Sequence, residues 1–85
     1  MEKSTRSATT VVITAFTNDY TVTVSIENYE GMVTSEVVGT GGATQQSAQV
    51  TGSGQLVLDI SSFNAGVYTL RITLGSTVYE GFFEK

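Results

Sequence analysis

Three features of the sequence predict an all-β protein built as an antiparallel sandwich of about seven short strands. Apolar residues alternate with polar ones at period two, turn residues recur every eight to twelve positions, and no segment carries the i, i+3, i+4 apolar stripe or the capped start of a helix. Ser and Thr make up about a quarter of the chain and Pro is absent. β-Branched Thr suits the solvated face of a sheet, so this bias agrees with strands rather than with low complexity.

At 85 residues the chain has room for one domain, expected over 9–85 behind an extended or disordered lead over 1–8. A chain this short buries a thin core. With no Cys and no His it has neither disulfides nor the usual zinc ligands to staple that core, so strand pairing and apolar packing must hold it together.

The first strand is expected in "TTVVITAF" (9–16), an apolar β-branched run closed by the turn residues "TND" (17–19). "YTVTVSI" (20–26) follows with Tyr20, Val22, Val24 and Ile26 on one face and Thr21, Thr23 and Ser25 on the other, the pattern of a half-buried antiparallel strand. "ENYEG" (27–31) reads as a turn into "MVTSEVV" (32–38), which "GTGG" (39–42) ends. "ATQQSAQV" (43–50) is polar and weakly patterned, as an edge strand or irregular loop would be, and "TGSG" (51–54) closes it. "QLVLDI" (55–60) places Leu56, Leu58 and Ile60 on one face, and "VYTLRITL" (67–74) does the same for Tyr68, Leu70, Ile72 and Leu74. After "GST" (75–77), "VYEGFFE" (78–84) sets Val78, Glu80, Phe82 and Glu84 outward and Tyr79 and Phe83 inward.

The link "SSFNAG" (61–66) enters its strand at Val67-Tyr68, two residues before the buried position Leu70. Immunoglobulin-type sandwiches place a Tyr there, at the corner between their fifth and sixth strands, and its hydroxyl bonds back to upstream backbone. The expected fold is therefore an immunoglobulin-like sandwich with a structural corner of Phe63, Gly66, Tyr68 and Leu70. Tyr68 is the clasp, Phe63 plugs the core, Gly66 takes a positive φ, and Val24 faces Leu70.

"LDISSFNAGVYTLRI" (58–72) followed by "GSTVYEGFFEK" (75–85) resembles the C-terminal halves of small exported β-sandwich domains of Bacteroidetes. The nearer resemblance is to the domain-of-unknown-function 3244 family, single immunoglobulin-like domains with a removed signal peptide. A weaker one is to the sorting domains that end cargo of the type IX secretion system. This chain lacks their Asn-Pro lead-in and finishes "FFEK" where they tend to finish with a more basic strand. The first resemblance implies export to the periplasm, outer surface or medium and no established activity.

Composition narrows the chemistry further. Eight acids against four scattered cations give a net charge of -4, without the basic face that nucleic acid requires. No apolar stretch reaches the ~20 residues of a membrane span, and "MEKSTRSATT" has no apolar signal core, so any signal peptide is absent from these residues. Composition alone leaves cytosol and export both open. Without His there is no Ser-His-Asp or Cys-His arrangement and no neutral-pH imidazole base, and the acids are too dispersed for a paired-carboxylate site, so no enzyme is expected. Calcium has the only claim among cofactors, through Glu27, Asn28 and Glu30 or Asn18 and Asp19. Their spacing matches no calcium loop, and turn chemistry accounts for them, so no cofactor or metal is expected. The Gly-rich 39–46 and 51–55 precede no helix and are not phosphate cradles.

What is left is an interaction surface, with Tyr29, Gln45, Gln46 and Phe82 as its candidates. The expected role is a structural or adhesion-type module at the cell envelope, binding a protein or glycan partner. A carbohydrate- or small-ligand-binding module and a secretion sorting domain are the alternatives. A Gln- and Thr-rich edge can also accept an added strand, which puts an edge-strand dimer among the expected assemblies.

Overall fold

A computed structural model describes residues 10–85; the lead expected over 1–8, with Thr9, lies outside the described residues. The alternating stretches do become antiparallel strands, and no helix occurs among the described residues. The described residues form five strands rather than seven: β1 (Val12–Thr17), β2 (Thr21–Gly39), β3 (Gly42–Asp59), β4 (Val67–Leu74) and β5 (Thr77–Glu84). The difference comes from two segments expected to be turns. "ENYEG" (27–31) and "TGSG" (51–54) lie opposite one another, and the β2–β3 pairing runs on through both. The polar 43–50 is therefore strand throughout.

β2 organises the sheet. β3 pairs along one side of it from Thr21↔Asp59 to Gly39↔Gly42. The other side is shared: β1 pairs with Val22–Glu27 and β4 with Val33–Gly39. β5 then pairs with β4. Three strands thus lie side by side at one end (β1-β2-β3) and four at the other (β3-β2-β4-β5).

Between the two ends β2 carries a bulge at Glu27–Tyr29, where Asn28 takes a left-handed φ of 63° and its side-chain amide donates to Thr10 O at 3.0 Å. Gly52, opposite Tyr29, has φ 87°. An extra residue on one strand inverts the parity of every residue after it. The inward residues of β2 are accordingly Val22, Val24 and Ile26 before the bulge and Val33, Ser35 and Val37 after it. An unbroken alternation would have turned Glu36 toward the core.

One face of this curled sheet is buried as a single cluster. It joins Val22, Val24, Ile26, Leu56 and Leu58 from the three-strand end to Val33, Val37, Val50, Leu70, Ile72 and Leu74 from the four-strand end, with Ile60 and Tyr68 at the corner. Val24 and Leu70 both belong to it. Each such fully buried aliphatic contributes about 1.5–3 kcal/mol, which has to carry a domain without staples. Ser35, in the same layer, is completely buried and its hydroxyl has no partner.

One inward expectation is corrected, that for Tyr20, while Tyr79 faces inward opposite Ile72 as expected but is not buried. Tyr20 precedes β2, in the loop where Asn18 Oδ1 accepts the N–H groups of Tyr20 and Thr21, and its ring is 68 % exposed. Tyr79 is 44 % exposed because β5 is the last strand of the four and the core does not reach across it. Phe83 is half-buried against Tyr68.

Candidate functional site

The corner is the most highly organised part of the molecule. Tyr68 opens β4 on its inward face and is almost fully buried, and its hydroxyl donates to Asn64 O at 2.6 Å. Its ring lies between Phe63 and Phe83, with centroids 5.5 and 5.8 Å away and interplanar angles of 28° and 24°. The β2–β3 turn closes over this stack. A Cβ at Gly39 or Gly41 would run into Tyr68, and one at Gly42 would lie 2.6 Å from Phe63 Cδ1. None of these three glycines takes a positive φ. They are small so that the rings can approach the backbone.

Lys85 seals the same corner from outside. Its ammonium donates to Ile60 O at 2.8 Å, Phe63 O at 2.6 Å and Ser61 O at 3.3 Å, while its backbone exchanges hydrogen bonds with Gly66. Gly66 takes the positive φ expected of it, 159°, a backbone that strains an L side chain even though an added Cβ there would meet nothing within 4 Å. Asp59 accepts the Ser61 N–H at 2.9 Å. That backbone bond, then the Ser61 hydroxyl and more weakly Lys85, hold its carboxyl below the usual range against a small opposing effect of desolvation.

The outward face of the four-strand end is the other candidate. Strand register aligns Ala43, Val38, Thr69 and Phe82 in one row, Gln45, Glu36, Arg71 and Glu80 in the next, and Ser47, Thr34, Thr73 and Val78 in a third. Phe82 is 76 % exposed, Val67 is exposed on the diagonal from it, and Val38 is exposed on the far side of Thr69. In the middle row Arg71 Nε donates to Glu80 Oε2 at 2.8 Å and Nη1 lies 3.5 Å from Glu36 Oε1. These groups are half in water, so the pair contributes little stability and chiefly orients the row. Thr34 and Ser47 share a hydroxyl hydrogen bond at 3.0 Å in the third.

This face carries two of the four residues expected at an interaction surface, Gln45 and Phe82, but on its opposite outer strands, β3 and β5. Gln46, one residue along β3, points to the opposite face opposite Ser35. Tyr29 is not a free turn residue. It is half-buried against the core, packs on Gly31 and donates its hydroxyl to Met32 O at 3.2 Å. Asn18 and Asn28, considered for calcium, are engaged in the turn and the bulge. Among the described residues no three His, Cys, Asp or Glu side chains gather as a metal site would need, the surface holds no pocket, and no helix is long and apolar enough to cross a membrane.

Sequence reasoning missed Gly39, Gly41, Gly42 and Lys85 as parts of the corner. "GTGG" signals only a turn, and no local pattern marks Lys85 as a cap for carbonyls 22–25 residues upstream. Comparison with protein-family models, with curated proteins and with solved structures gives no match. The resemblance carried by "LDISSFNAGVYTLRI" and the strands after it therefore stands on those residues alone.

Proposed function

We propose that this chain is a non-catalytic immunoglobulin-like module of the bacterial cell envelope that binds a protein partner through the outward face of its four-strand end. In this view β2 and β3 each count as two segments, divided at the bulge, and the five strands supply the seven segments of an immunoglobulin-like sandwich. The Tyr68–Asn64 bond supports it, being the hydrogen bond that clasps the corner of such folds. The observation that carries the binding role is the cluster of Phe82, Val38 and Val67, exposed together at one corner of an ordered face. Apolar side chains exposed around one residue, here Thr69, are what a soluble domain keeps for a partner. Export rests on the resemblance of residues 56–85 to exported domains.

Photo-crosslinking tests the binding role. A benzoylphenylalanine at Phe82 should give a discrete crosslinked product in envelope extract, whereas the same group at Thr14, exposed on the three-strand end, should not. Equal yields from both positions would reject this face. Fractionation of cells expressing the chain from its complete gene tests export separately; recovery in the cytosol alone would remove the envelope part of the proposal. The carbohydrate alternative has no observation in its favour, since Tyr29 is half-buried and hydrogen-bonded.

A further inference from the structure

Among the described residues β3 pairs with β2 on one side only, so its opposite side is a sheet edge as long as the strand itself. Folded proteins blunt such edges with charge, Pro, a bulge or a short strand, because unpaired N–H and C=O groups capture other strands. Here the usual protections are missing. There is no Pro in the chain and no charged residue from Val37 to Leu58. The irregular backbone at Gly52 stands at one end of the segment 42–51 and the hairpin turn at the other, leaving ten uninterrupted residues between them. The remaining edges compare poorly with this one. β5 carries Glu80 and Glu84, and β1 is only six residues long.

We propose that residues 43–51 pair antiparallel with the same residues of a second copy of this chain, joining the two four-strand ends into one eight-stranded sheet. A two-fold axis perpendicular to the sheet keeps the outward face of both copies outward. Residues opposite each other must then share parity. Centred on Ser47, this register sets Gln45 against Gln49 and Ser47 against its own copy on the outward face. On the other face it sets Gln46 against Ala48 and Thr44 against Val50. Amide meets amide, hydroxyl meets hydroxyl, and small apolar groups complete the ladder. The occupant follows from charge. Each copy is acidic overall, and this is the long edge along which two acidic copies meet without opposing carboxylates. The pairing stands apart from the Phe82 face, which remains available in the dimer.

Sedimentation equilibrium of the full chain should show a monomer–dimer equilibrium that depends on concentration. Ser47→Lys places two ammonium groups directly opposite each other and should raise the dimer Kd by about fivefold. The register has its own test. Gln45→Lys with Gln49→Glu should dimerise at least as well as the parent chain, since each Lys then faces a Glu, whereas Gln45→Lys with Gln49→Lys should stay monomeric. All three positions are exposed, and circular dichroism checks that each variant folds. Amide exchange of the unmodified chain supplies a measurement without substitutions: protection should rise with concentration in 43–51 and not in 77–84. A parent chain monomeric to about millimolar concentration, equal behaviour of the two double variants, growth beyond dimer, or protection appearing on β5 would each overturn the proposal. Capture of an unrelated extended peptide by 43–51 in preference to a second copy would do so as well.

Discussion

The β2–β3 pair is interrupted by glycines at two places, and the two places use them in opposite ways. At the corner, Gly39, Gly41 and Gly42 have ordinary backbone angles and crowded surroundings, with the Tyr68 and Phe63 rings occupying the space of their missing side chains. At the bulge, Gly52 has φ 87° and nothing within 4 Å of a would-be Cβ. One site needs glycine for room and the other for conformation. The corner therefore gains its stability from long-range packing, whereas the bulge is a backbone device that sets which residues of β2 face inward. The same residue type, read as turn punctuation in both stretches, answers to different forces.

Substitutions separate the two cases. Gly39→Ala should be the most damaging, because the methyl group enters a ring held between two other rings; overpacking of this kind costs about 2–3 kcal/mol, measured as a lower urea midpoint at unchanged slope. Gly52→Ala should cost less, about 1–2 kcal/mol, the penalty of a left-handed backbone for an L-residue with no clash added. A larger loss at Gly52 than at Gly39 would reverse the assignment of room and conformation. Tyr68→Phe keeps the stacked ring and leaves Asn64 O without its donor, so about 1 kcal/mol should be lost; an unchanged midpoint would remove the clasp from the corner. Asn28→Gly should change stability by no more than about 0.5 kcal/mol, since either residue accepts φ 63° and the exposed bond to Thr10 is replaceable by water.

The smallest effect concerns acid. Asp59 titrates below its ordinary 3.8 in the folded chain. A lowered carboxyl stabilises the fold above the unfolded value, and that contribution disappears as pH falls through the folded one. Asp59→Asn should accordingly be slightly less stable than the parent at pH 7, with the two melting curves converging below about pH 4. A difference that persists in acid would mean that Asp59 acts through something other than its charge and would loosen its tie to Ser61.

Much of the corner was readable because its signal is local. Leu56, Leu58, Ile60, Tyr68, Leu70, Ile72 and Leu74 alternate without interruption, so their faces follow from strand geometry alone. The bulge was not readable. Asn28 and Gly31 suit a tight turn and a bulge equally, because both ask for a positive φ, which Asn28 and Gly31 adopt at 63° and 139°. Whether the chain reverses there or continues depends on the part of β3 that lies opposite, from Val50 to Ser53, which pairs straight through the irregularity. The misplacement of Tyr29 has the same origin, since a turn would have exposed the ring that the bulge folds back onto Gly31. Gln45 and Gln46 both belong to the Gln- and Thr-rich stretch that composition marks for contacts, but strand geometry puts adjacent residues on opposite faces.

By itself the sequence determined that this chain is all-β, which residues of its regular strands turn inward, and that imidazole and thiol chemistry are closed to it. Those properties follow from residue types and a period of two, both of which are local. The tertiary structure decided that two stretches of turn residues are crossed by continuous strands, that the turn at 39–42 is the seat of an aromatic stack, and that β3 presents a long uncharged edge. Each of these depends on which distant segment arrives beside which. Strand pairing is a long-range choice, set by the loop entropy and burial of the whole chain rather than by any stretch of it.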